Sequence, residues 1–168
     1  VRFARLTLDA GCPRPATPYR LKHAGRSGKD VSVLAVARNP RKHLLRRLRL
    51  MISHPALFDR NPESGGPKTD LKRELRALGI TQARIYRLEH HLAHLLSARF
   101  LSKEESPALM SIDGLGDFVS VAMGKPVGNS VEIVERVFFP HSLGFFYTAM
   151  TQYLGFPHYG DEFKVMGL

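Results

Sequence analysis

The sequence predicts an α/β chain with a mixed sheet and flanking helices, and three observations predict it. Val31-Ser32-Val33-Leu34-Ala35-Val36-Ala37 is a β-branched apolar run with the length of a buried strand. Stretches with helical spacing of apolar residues alternate with strand-like runs along the chain. Late in the chain, Phe118 to Met123 and Val131 to Phe138 flank a Gly-rich and Pro-containing segment, which is the pattern of a hairpin.

In chain order, Pro13 to Ala24 reads as a helix opened by prolines, with Thr17 as a capping residue, and closed by Gly25. Arg26 to Asp30 is a turn before the strand at 31–37. Arg38 to Met51 is a basic helix. Leu44, Leu45, Leu48 and Met51 share one side of it, which leaves Arg41, Lys42, Arg46 and Arg49 mostly on the solvated face. Asn61 to Thr69, with two prolines and two glycines, is a loop, and Asp70 to Leu78 is a helix stopped by Gly79. Ala83 to Leu88 alternates as a strand does, and a helix follows from Glu89 to Ser102. Ala108 to Ile112 is a buried strand ending at Asp113. Ser142 caps a helix that runs to Leu154 and ends at Gly155. Its aromatic stripe is most simply core packing.

The 168 residues are 43% hydrophobic and 24% charged, a composition that excludes a disordered tail, a fibre and a disulfide scaffold. Cys12 is the single cysteine, so a reducing, cytoplasmic setting is expected. No apolar run is long enough to span a bilayer, and Arg2, Arg5 and Asp9 break any leader-like stretch. Net charge is +10, but residues 1–90 hold 20 Lys and Arg against 7 Asp and Glu, while residues 91–168 hold 5 against 8. The basic half lacks the interleaved aromatics of a single-strand stacking platform, so nucleic acid is not the expected partner. A start at Val1 suggests a piece of a longer chain.

Glu89-His90-His91-Leu92-Ala93-His94 carries the most chemistry. His90 and His94 stand four apart and share a helix face, where two imidazoles can bind one metal. The glutamate that a zinc protease needs after the first histidine is replaced by His91. Spacing alone leaves open whether the pair are ligands or ordinary surface residues. Asp113-Gly114-Leu115-Gly116-Asp117 follows an apolar strand. It suits either a carboxylate aimed at a cation, with glycines that admit a phosphate, or a plain hairpin turn. Lys164 sits among apolar residues, where it can reach a phosphate or simply extend to solvent.

Taken in order, Glu89–His94 with Ser97 and Ala98, Ser111–Asp117, Ser142–Tyr147, Thr151–Phe156 and Glu162–Leu168 resemble successive motifs of the carbamoyltransferase family. These enzymes of nodulation-factor and antibiotic biosynthesis O-carbamoylate a hydroxyl. Their N-terminal domain is similar to the tRNA threonylcarbamoyl-adenosine synthase, within the actin and sugar-kinase superfamily of ATP-binding folds.

The resemblance implies a partial lobe of that fold, and a chain that is an incomplete N-terminal nucleotide- and metal-binding domain, truncated at both ends. It implies ATP and carbamoyl phosphate as substrates, a carbamoyl-adenylate with pyrophosphate as the first products, and a small-molecule hydroxyl acceptor. It makes His90, His94 and Asp113 ligands of iron or another divalent metal, and Gly114, Gly116 and Lys164 phosphate contacts. The chain alone is then expected to be inactive, with the C-terminal part of the same protein as its partner. Phe138, Phe139, Phe145, Phe146, Tyr153 and Phe156 should include residues that this part covers. Thr7 and Leu8 depart from the family's lysine-histidine pair, and Cys12 from its aromatic. A tRNA-modifying relative and an inactive remnant are the alternatives.

Overall fold

The computed structural model describes residues 15–58, 70–158 and 160–168. The readings of Thr7, Leu8 and Cys12 and of the loop at 61–69 lie outside them. The chain forms two compact units, residues 1–35 with 51–86 and residues 36–50 with 87–168.

In the first unit, helix α1 spans Ala16–His23 and ends before Gly25, whose φ of +65° suits a residue without Cβ. Ser27 and Asp30 close a reciprocal capping box. Helix α3, Leu71–Ala77, starts where the Asp70 carboxylate accepts from the Lys72 N–H, and Leu75 and Ile80 are buried behind it.

Strands β1, Val33–Val36, and β2, Arg84–Arg87, pair through Arg84 N–H to Ser32 O and Leu88 N–H to Val36 O. The constant offset makes the pairing parallel, with helix α2, Leu44–Ser53, and α3 in the crossover. This corrects the expectation of a buried strand, because Val33 lies open to solvent in a two-stranded sheet.

The second unit holds helix α4, His90–Leu101, a three-stranded antiparallel meander, and helices α5, Leu143–Tyr153, and α6, Glu162–Val165. The strands are β3, Leu109–Gly116; β4, Val119–Val127; and β5, Ser130–Phe138. The α/β class stands. Among the described residues, parallel and antiparallel pairing occupy separate sheets rather than one mixed sheet. Leu95, at 0% exposure, packs from α4 onto Leu109, Val119, Ala122 and Val131. The predicted hairpin is present, but its strands run to a two-residue turn at Gly128-Asn129.

Helix faces differ from the expectation in two ways. On α2 the basic residues are solvated as expected, but the apolar residues are exposed as well, with Leu45 86% exposed. The Arg46 guanidinium nonetheless lies 3.9 Å from the Phe138 ring centroid, and His43 meets Phe138 edge-on. On α5 the aromatic stripe is not core. Phe146 and Tyr153 are exposed, and the helix approaches β3 through glycine instead. No helix among the described residues is long and apolar enough to cross a membrane.

Candidate metal centre

Strand β3 does not end at Asp113 as predicted. It runs to Gly116, with an irregular stretch in between. Ile112 pairs with Val121 and Gly116 with Val119, so residues 113–115 face Ser120 alone. Extra residues on one strand form a bulge, which lifts Asp113 out of the ladder and turns its carboxylate toward α4. Ser120 is fully buried, and its hydroxyl donates to His141 O at 2.6 Å.

Helix geometry puts His90 and His94 on one face, and their Nε2 atoms lie 3.1 Å apart. His90 Nε2 is 2.7 Å from Asp113 Oδ2. One ligand atom from each of the three residues lies within 4.8 Å of the other two. For metal–ligand bonds of about 2.1 Å, neighbouring ligand atoms stand roughly 3–4 Å apart, so the cluster fits a single ion with small side-chain adjustments.

The donors are also oriented from behind. His90 Nδ1 lies 3.3 Å from Ala37 O, an atom that can only accept, and this contact orients the ring so that Nε2 faces His94 and Asp113. The Asp113 Oδ1 atom accepts from the Gly114 N–H at 2.7 Å. Burial pushes the Asp113 carboxyl upward, but the hydrogen bonds from His90 and Gly114 outweigh it and hold it below its ordinary value. Lone pairs of two imidazoles and a carboxylate at these distances repel unless a proton or a cation lies among them.

The two predicted glycines sit at the centre with distinct neighbours. A Cβ on Gly116 would overlap the His90 ring, so its bareness makes room for that imidazole. A Cβ on Gly114 would meet the Phe145 ring at ordinary contact distance, whereas a Cβ on Gly144 would stand 2.6 Å from the Gly114 backbone. The Ser142 hydroxyl donates to Gly114 O and accepts from the Phe145 N–H, which fastens the start of α5 to the bulge. Lys164 is not drawn to the cluster: its ammonium pairs with Asp161 at 2.6 Å in its own turn.

His91 points the other way, into the core. Its Nε2–H donates to Val119 O and its Nδ1 accepts from the Ser111 hydroxyl, both at 2.9 Å. Burial lowers its pKa from the ordinary 6.5, against the opposing hydrogen bond to Val119. The unfolded chain then binds the proton more readily, so stability is level above about pH 6.5 and falls as the pH drops below it, by up to about 1.4 kcal/mol per pH unit. Urea unfolding between pH 7.5 and 5 should show this slope, and His91→Gln should flatten it. A slope unchanged in H91Q would place its source elsewhere.

Sequence reasoning missed Glu89, Arg136, Asp117 and Gly144. Asp117 and Glu89 lay inside the motifs read above, but their partners are far away in sequence. The Glu89 side chain is buried, where Arg136 Nε and Nη2 grip it at 3.0 Å each and His43 Nε2 lies at 3.4 Å. Burial raises the Glu89 pKa, but Arg136 and His43 outweigh this and hold it below 4.5.

Comparison with known proteins bears on this centre. The family described as Carbamoyltransferase N-terminus matches residues 67–168. Uncharacterized protein sll1178 of Synechocystis sp. is 32% identical over 99% of the chain, and Nodulation protein NolNO of Sinorhizobium fredii is also 32% identical over 99%. Nodulation protein NolO of Bradyrhizobium diazoefficiens is 43% identical over 48% of the chain. The chain spans 29%, 24% and 15% of these relatives' own lengths.

Proposed function

We propose, from the premise that this chain belongs to the carbamoyltransferase family, whose N-terminal part residues 67–168 match, that it is the metal- and phosphate-holding part of an ATP-dependent O-carbamoyltransferase. The observation that carries the reading is the convergence of His90, His94 and Asp113 within 4.8 Å in a chain of that family. In this reading the chain is part of an N-terminal domain of the actin and sugar-kinase type. The whole protein, in the cytoplasm, hydrolyses carbamoyl phosphate to carbamate and phosphate, joins the carbamate to ATP as carbamoyl-adenylate with release of pyrophosphate, and passes the carbamoyl group to a hydroxyl with release of AMP. Turnover is proposed of the whole protein and not of residues 1–168 alone.

A divalent ion, iron among the candidates, would supply charge that gathers phosphate oxygens and neutralises them. The rest falls to the side chains. His90 and His94 present neutral nitrogens, and Asp113 brings the negative charge that favours a cation over a proton-bearing donor set. Ala37 O and the Gly114 N–H keep these donors from rotating away. Gly116 leaves the His90 ring its place. Lys164 has to leave Asp161 before it can serve a phosphate.

Equilibrium dialysis against Co²⁺ should load one ion per chain at pH 7.5 and release it to EDTA. ATP should be retained by the loaded chain and lost on addition of EDTA. No saturable Co²⁺ uptake at millimolar concentration, or ATP retention indifferent to EDTA, would overturn the reading.

A further inference from the structure

We propose that Asp117 is the positioning residue of this centre: one carboxylate oxygen fixes both the backbone that carries His90 and the backbone that orients its ring. The proposal rests on the metal reading above. Asp117 Oδ2 accepts from the His90 N–H at 2.9 Å and from the Asn39 N–H at 2.7 Å. His90 is the first residue of α4, so its N–H has no partner within the helix. Glu89, the residue at the cap position, gives no side-chain cap, because Arg136 and His43 hold its carboxylate. Asp117 supplies that cap from 27 residues away.

The Asn39 bond is the second half of the device. Ala37, two residues earlier, provides the carbonyl that faces His90 Nδ1. One oxygen therefore ties the 37–39 segment and the α4 start to the same point. Gly116, next in the chain to Asp117, provides the clearance for the ring. The backbone is bent to allow this. Asp117 and Phe118 both have positive φ, +51° and +75°, in the turn between β3 and β4. Asp tolerates that region better than most residues and Phe does not, and such strain tends to persist where it aims a functional group. Without the cap, the first turn of α4 is the part that frays, and the first turn carries His90.

The test separates placement from charge. Asp117→Gly removes the acceptor while suiting the positive φ, and Asp117→Asn keeps an oxygen in the same place without the charge. Co²⁺ titration of the 168-residue chain, read from the visible absorption of the bound ion, should show D117G weakened by about 10- to 100-fold and D117N within about threefold of the parent chain. Amide exchange at His90 should quicken in D117G and stay slow in D117N. If D117G lacks a cooperative thermal transition, Asp117→Ser takes its place, because its short hydroxyl cannot span both N–H groups. Parent-like Co²⁺ affinity in D117G, or an equal loss in D117N, would overturn the positioning role. If the parent chain takes up no Co²⁺, the metal reading falls by itself. The exchange rate at His90 then decides the clamp, and an unchanged rate in D117G overturns it.

Discussion

Replacing Arg136 with methionine is expected to destabilise the second unit by about 3–5 kcal/mol, the scale for breaking a buried ion pair from one side. Glu89 is 4% exposed, and the guanidinium fork satisfies both of its oxygens. Methionine keeps much of the arginine's apolar length but leaves the carboxylate with His43 alone, at 3.4 Å. The cost is the desolvation of an unpaired charge, not the loss of an attraction. Glu89→Met combined with R136M should therefore recover most of the stability, because the pair is then apolar on both sides. Urea denaturation at pH 7 measures both. A loss below about 1 kcal/mol in R136M would show that Glu89 finds water when its partner leaves.

His90→Ala is expected to lower Co²⁺ affinity by more than about 100-fold, or more than about 2.7 kcal/mol, with little change in the thermal midpoint. His90 is half-buried and lies at the middle of the three-donor cluster, 2.7 Å from Asp113 and 3.1 Å from His94. Its removal leaves a histidine and a carboxylate that share no third donor. The adjacent His91 should behave in the opposite way, because its two hydrogen bonds lie in the core. H91Q therefore reads out in stability and its pH dependence, H90A in metal. Unchanged stoichiometric Co²⁺ binding by H90A would remove His90 from the centre.

That contrast marks how far local pattern reaches. The helix of 90–101 and the four-residue spacing that puts His90 and His94 together were legible because helix geometry is set by neighbours one turn away. The cap at Ser142 and the antiparallel hairpin were legible for the same reason. The motif around Asp113 was readable as either a ligand or a turn. It turned out to be both a bulge and the approach to a turn, since the strand continues past the aspartate.

The contact that α2 makes was not legible. Amphipathic spacing identifies two faces, but the meeting of Arg46 with Phe138 joins residues far apart in the chain. The core assignment of the α5 aromatics failed similarly, because Gly114 and Gly144 let the helix meet β3 by backbone contact. The sequence by itself determined most of the elements, the cap at Ser142 and the two histidines that share a face, all of which follow from contacts within a few residues. The family resemblance groups Asp113 with those histidines, but only the tertiary structure decided the bulge that brings it there, that Arg136 neutralises Glu89, and that Asp117 holds the start of α4. The last two join residues more than twenty positions apart, and their energetics depend on burial and mutual distance, which no local pattern encodes.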